Sequence, residues 1–317
     1  MRHLAILTVK NEAAFLLEWL AHHRATGFGD FLVFSNDCAD GTDTMLDRLQ
    51  AMGWLTHIRN DGPHDKGAQW TALSRAAREP AFRGADWAMV LDIDEFVNIH
   101  VGDHTLGALH AALPEATAIT LTWRLFGNGG IVGYDDRPVS ETFTRAIAPV
   151  FHWPWRAAMF KTLYRADGSY GKPGVHRPRQ PDPDRVVGAR WFDGAGQALP
   201  ESFAKARVFS DFGRNLYLLA QLNHYALGAM ESYIVKCDRG APTARPRLST
   251  CPIGANATLP RSKTPAFRRW RRSGGLAGRT DGGPGSGAAA RRGGCVAPAP
   301  VCGADGRRGL AFAFRPA

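Results

Sequence analysis

The stretch DWAMVLDIDEF, residues 86–96, decides how the chain is read. Trp87, Met89, Val90 and Leu91 make the short apolar run of an inner strand, with a β-branched residue near its end. The run then delivers Asp92 and Asp94 where it should be stopping. On a strand, whose side chains alternate with period two, both carboxylates project to one side and Ile93 to the other. Two such charges repel unless a cation sits between them. The alternatives are a metal site and a strand running out into water.

Working outward, apolar runs and helical patterns alternate. Residues 3–10, 30–35, 54–59 and 87–93 read as strands, and residues 13–26, 42–52 and 68–79 as helices stopped by Gly27, Gly53 and Pro80. Strand–helix alternation with short links predicts a parallel sheet covered by helices. In such a sheet ligands bind outside the carboxyl ends of the strands. There the sequence places Lys10-Asn11-Glu12, Ser35-Asn36-Asp37, Asn60-Asp61 and the Asp92/Asp94 pair. Neither glycine fingerprint for phosphate is present, which leaves a metal ion to hold one. Lys66 and Gln69 are a solvated helix start, within reach of a ligand on that rim.

Composition narrows the classes. The chain has 317 residues and is 44% hydrophobic, enough for a sizeable core. Its net charge of +10 is uneven: residues 241–317 hold 14 basic and 2 acidic residues, and residues 1–240 hold 25 and 27. The excess is confined to the tail, so the main domain is not expected to bind nucleic acid. Lys10, Asn11 and Glu12 interrupt the N-terminal apolar run, and no stretch reaches the roughly 20 apolar residues of a membrane span. The expected location is cytoplasmic, and the five cysteines, with no C-x-x-C pair, are expected to be free thiols.

Past residue 100 the pattern changes: a short helix at 106–114, a strand at 118–126 and the turn FGNGG at 126–130. Residues 151–193 read as loop-rich with short strands, and residues 214–226 and 229–240 as helix and turn. Three divisions follow: an α/β half at 1–100, a second half of the same domain at 101–240, and a tail at 241–317.

Five blocks occur in order: TVKNEAAFLLEWLAHHRATG, SNDCADGT, DWAMVLDIDEF, WRLFGNGG and NHYALGAMESYIVKCDRG. Together they resemble the family-2-like bacterial glycosyltransferases related to the DUF23 (family 92) group, over about residues 1–240. The resemblance implies a GT-A fold, a nucleotide-sugar donor, Mn²⁺ or Mg²⁺ at the D-x-D pair, and sugar transfer to a hydroxyl of a glycan or surface polysaccharide. Asp94 is then the favoured direct metal ligand, with Asp92 on the metal, its bound water or the ribose. His224 is a third ligand or a core histidine. His176 is a second candidate.

By the same resemblance Asn11, Glu12 and Asp37 line the nucleoside pocket, against plain turn and helix-cap work. Trp123, Phe126 and Gly127 form an acceptor platform, against core packing for Trp123. An inverting transferase needs a carboxylate base, for which Glu95, Glu141, Asp211 and Glu231 all qualify. Two rivals remain: a nucleic-acid binder acting through its basic tail, and a metal-dependent phosphohydrolase on the same rim.

The tail reads as disordered, and also as out of frame. From Ala241 the periodic patterns cease, and Arg, Gly, Pro and Ala dominate. Read one base out of register, codons 249–264 can encode Asp-Met-Ser-Tyr-Trp followed by Glu-Arg-Asn and Val-Glu-Asp. That resembles the W-x-E-R-N…V-E-D stretch such enzymes carry soon after their Arg-Gly, here Arg239-Gly240.

Overall fold

The computed structural model describes residues 1–238. Strand β1 (His3–Val9) leads to α1 (Ala13–Thr26), β2 (Asp30–Ser35), α2 (Thr42–Ala51), β3 (Thr56–Arg59), α3 (Ala68–Ala76), the one-turn α4 (Pro80–Arg83) and β4 (Trp87–Leu91). Helix α1 ends where Gly27 takes a left-handed φ of 115° and its N–H reaches back to His23 and Arg24. Helix α3 ends at Ala76, three residues short of the expected boundary, and Pro80 opens α4.

There follow β5 (Glu95–Ile99), α5 (Leu106–Ala112), β6 (Ala118–Leu125), α6 (Val139–Thr142), β7 (Phe160–Arg165), β8 (Tyr170–Lys172), β9 (Arg179–Pro181), β10 (Trp191–Asp193), α7 (Ser202–Lys205), β11 (Ala220–His224) and α8 (Met230–Asp238). One mixed sheet runs in the order β3-β2-β1-β4-β7-β6-β11-β5, with β10 added on β6. The first four strands are mutually parallel, and β7 joins β4 antiparallel.

Every residue of β1 and β4 is buried, so both faces of the sheet are covered. The period of two sorts them. Ala5, Leu7, Met89 and Leu91 pack with Leu16, Trp19 and Leu20 of α1. Leu4, Ile6, Ala88 and Val90 pack with Ala72, Leu73 and Ala76 of α3. The β-α-β layering expected from the sequence is therefore present, with helices on each face.

Two expectations fail. Strand β4 stops at Leu91, and residues 92–94 form a turn closed by the Glu95 N–H on Asp92 O at 3.1 Å. Asp92 and Asp94 are thus not alternate residues of one strand, and the same-side argument does not apply to them. The chain at once re-enters the sheet as β5. Within residues 214–226, read as helix, residues 220–224 are strand β11, because their backbone pairs with both β5 and β6. Cys38 is a free thiol, as expected. The calls on the tail at 241–317 lie outside the described residues.

Candidate functional site

The turn between β4 and β5 is held from beneath. Trp19, fully buried in α1, donates its indole N–H to both Asp92 O at 3.1 Å and Glu95 O at 3.0 Å. The backbone N–H of Tyr225 donates to Asp94 O at 2.9 Å. Glu95, 0% exposed, accepts from the Asp92 N–H at 2.9 Å and from the Trp123 indole at 2.6 Å. The pairing of β5 with β11 sets His224 opposite Glu95, and the pairing of β6 with β11 sets Trp123 opposite Leu222. Sheet register thus brings blocks some 130 residues apart to one spot.

The two aspartates answer to different cations. Lys161 of β7, itself 0% exposed, donates to Asp92 Oδ2 at 2.8 Å and lies 3.3 Å from Glu95 Oε2. Gln69 of α3 donates to the other oxygen, Oδ1, at 3.3 Å. Burial pushes the Glu95 carboxyl up to about 7, with Lys161 pulling against that and Asp92 adding to it. Burial opposes the charge on Lys161, but Asp92 and Glu95 outweigh it and raise its pKa.

Asp94 faces the other way, with 17% of its side chain exposed. Lys236 of α8 donates to its Oδ2, and His224 Nε2 lies 3.5 Å from the same oxygen. Burial alone would raise the Asp94 pKa, and Lys236 and His224 reverse this, holding it well below the usual carboxylate range. The His224 ring lies 4.2 Å from the Trp123 ring, centre to centre. His176 meets the edge of Trp123, donates from Nδ1 to Phe160 O at 2.9 Å, and is pushed down to about 4 by burial and by Lys161.

The remaining candidates divide. Asn11 Oδ1 accepts from the Ala39 N–H at 2.8 Å, and Asp37 Oδ1 from the Gly62 N–H at 3.1 Å. Both residues take positive φ, 54° and 44°, so each shapes a turn as well as facing the rim. Glu12 is buried at the start of α1, its N–H on the Thr42 hydroxyl. Phe126 is buried against Tyr225, and the Gly127 N–H is spent on Arg145 O, so neither presents a face to an acceptor. Trp123 alone of that trio touches the site.

Among the offered bases, Asp211 is exposed and paired with Arg207 at 2.8 Å. Glu231 is a strut, accepting from the Tyr134 N–H at 2.8 Å. Glu141 is exposed on α6. Glu95 alone lies at the turn, and it is sealed from solvent, so it positions Asp92 and Trp123 and cannot meet an acceptor hydroxyl.

Sequence reasoning missed Trp19, Lys161 and Lys236, and read Gln69 as solvated although it is 6% exposed. One signal was available: Lys161 interrupts the run MFKTLY, and a lysine inside a buried-strand pattern needs a buried partner. A second polar chain, Ser35 to His57 at 2.8 Å and His57 to Asp47 at 2.6 Å, mimics a nucleophile–base–acid relay. Ser35 is only 2% exposed, so no substrate reaches it. A cavity of about 700 Å³ lined by Trp87, His110 and Arg165 lies at the other end of β4 and contains none of these groups.

The expected metal set of Asp92, Asp94 and His224 does not fit an ion as placed. Asp92 is turned to Lys161, and Lys236 stands on the Asp94 oxygen that His224 also faces. Among the described residues no group of three or more His, Cys, Asp and Glu side chains is arranged to hold a metal ion.

No protein-family model matches the chain. Its sequence is 24% identical over 149 residues to a glycosyltransferase family 92 protein of Oryza sativa subsp. japonica, covering 45% of this chain and 25% of that one. The chain is similar to a family 92 glycosyltransferase. It spans about a quarter of the length of that relative. Among solved structures, TarS of S. aureus overlaps 52% of this chain and 28% of its own, at 15% identity and a TM-score of 0.33. TarS 1-349 in complex with UDP-GlcNAc overlaps 52% and 46%, at 14% identity and a TM-score of 0.30. Overlaps that slight carry no argument about activity. No helix among the described residues is long and apolar enough to cross a membrane.

Proposed function

We propose that this chain is a glycosyltransferase that binds a nucleotide sugar at the β4–β5 turn and passes the sugar to an acceptor hydroxyl. The observation that carries the reading is the convergence of Asp92, Asp94, Trp123 and His224 at the carboxyl end of a parallel strand quartet. Similarity to the family 92 protein supports it. Residues 1–100 would then hold the nucleotide, with Asn11, Glu12 and Asp37 on the neighbouring loops, and residues 101–240 would hold the acceptor.

Electrostatics states what the site must do. Each phosphate charge about 4 Å from an aspartate is repelled by roughly 4 kcal/mol at an effective dielectric near 20. Positive charge at the turn has to offset this. The exposed edges of Asp92 and Asp94 remain available to ribose or sugar hydroxyls, which donate hydrogen bonds to carboxylates.

The test is calorimetric titration of the full chain with a panel of nucleotide sugars, in wild type and Asp94→Asn. Binding that depends on Asp94 supports the reading, and equal affinity in both proteins contradicts it.

A further inference from the structure

Among the described residues two lysines reach the β4–β5 turn, and one of them keeps exposed surface. Lys161 has no exposed surface and is shared between Asp92 and Glu95. Lys236 keeps 38% of its side chain exposed while its ammonium donates to Asp94 Oδ2 and, at 3.2 Å, to Ala226 O. It occupies the place beside Asp94 and His224 where a divalent ion would have to sit.

Its position is built into the fold. Helix α8 is docked at its start on residues 131–134: Met230 N–H donates to Ile131 O at 3.2 Å and Glu231 N–H to Val132 O at 3.1 Å. Glu231 returns the contact by accepting from the Tyr134 N–H at 2.8 Å. Those bonds fix the first turn of α8, and Lys236 projects from the next turn back over the β4–β5 turn. The partner at the far end is equally fixed, since Asp94 O is held by Tyr225 N–H.

We propose that Lys236 is the resident cation of the donor site: it neutralises Asp94 and contacts the donor's diphosphate, so donor binding does not require a divalent ion. This rests on the nucleotide-sugar reading. An ammonium is a compact point charge with three donors, suited to bridging a carboxylate and a phosphate oxygen. No bond is made or broken by it; its task is charge and orientation. Helix α8, which the sequence offered only for Glu231 as a base, then belongs to the donor site through Lys236.

The experiment is calorimetry on the full chain with UDP, GDP and dTDP as probes, in EDTA and again with Mn²⁺. Wild type, Lys236→Ala and Lys236→Arg are compared, with thermal unfolding as the control that all three are folded. The expected result is that wild type binds one probe equally in EDTA and in Mn²⁺. In EDTA, Lys236→Ala should bind about tenfold or more weakly, and Lys236→Arg within about threefold of wild type, as loss or retention of one charge contact implies. Wild type binding only with Mn²⁺, or Lys236→Ala binding as wild type does in EDTA, overturns the proposal and leaves the glycosyltransferase reading standing. No binding of any probe under either condition overturns both.

Discussion

Lys161 Nζ lies 2.8 Å from Asp92 Oδ2, the lysine itself fully buried and the aspartate partly exposed. Its second partner, Glu95, has no exposed surface either. A buried ion pair adds little net stability, but removing one member strands the other charge. Lys161→Met should therefore lower stability by about 3–5 kcal/mol. Adding Glu95→Gln to that variant should recover much of the loss, since the uncompensated carboxylate goes with it. Urea unfolding of the two single variants and the double variant measures the coupling. Additive losses would contradict the pairing.

Trp19 makes a second prediction, away from any ligand. Its indole N–H is the donor to Asp92 O and Glu95 O, so Trp19→Phe takes a donor from both carbonyls, and Asp92 O keeps only the Glu95 N–H. The expected cost is about 1–3 kcal/mol for the lost donor, before any cavity effect. Probe affinity should fall as well, because the turn that carries Asp92 and Asp94 loses its tie to α1. An unchanged affinity in a destabilised protein would show that the turn does not depend on that tie.

Acid should unfold the chain earlier than its carboxylates alone would dictate. Burial lowers the pKa of His3, His22, His23, His100, His110 and His176, reaching about 4 for His22, His110 and His176. The unfolded chain takes up these protons near pH 6.5, whereas the folded chain takes them up only at lower pH, for His22, His110 and His176 not until about 4. Stability from these groups is complete above pH 6.5 and falls as pH drops toward 4. Glu18 and Glu95, whose pKa values are raised by burial, act in the opposite direction but are outnumbered. Urea midpoints measured from pH 7.5 to 4.5 should decline steadily. A flat profile over that range would contradict the buried, neutral histidines.

The fold was legible where one local rule governed. Alternating apolar runs, Gly27 and Pro80 marked the β-α units up to β4, because those strands are buried on both faces and their helices carry clear stops. Strand β11 was not legible, since Leu216, Tyr217, Leu219 and Leu222 have helical spacing and only pairing with β5 and β6 makes residues 220–224 extended. For the site, Asp92, Asp94, Trp123 and His224 were legible because carboxylate, aromatic and imidazole groups at strand ends are recognisable ligand chemistry. Their partners were not. Lys161 and Trp19 act through long-range contacts, 69 and 73 residues from Asp92, which no spacing rule encodes. Glu95 was visible as a carboxylate near the pair, but its sealing by Trp123 and Lys161 is a tertiary fact that turns a candidate base into a support.

The composition break at Ala241 yields a prediction at the level of the gene. If the tail is out of frame, the nucleotide sequence around codons 240–250 will carry an open shifted frame that encodes the Trp-x-Glu-Arg-Asn and Val-Glu-Asp pattern. Early stop codons in that frame would show that the basic tail is the encoded one.

The most direct test of the central claim is turnover: the full chain incubated with a nucleotide-sugar panel and hydroxyl acceptors, with products followed by mass spectrometry. Release of nucleoside diphosphate together with a glycosylated acceptor, lost in a folded Asp94→Asn variant, is the predicted result. Release of inorganic phosphate without any acceptor product, or no dependence on Asp94, would contradict the account.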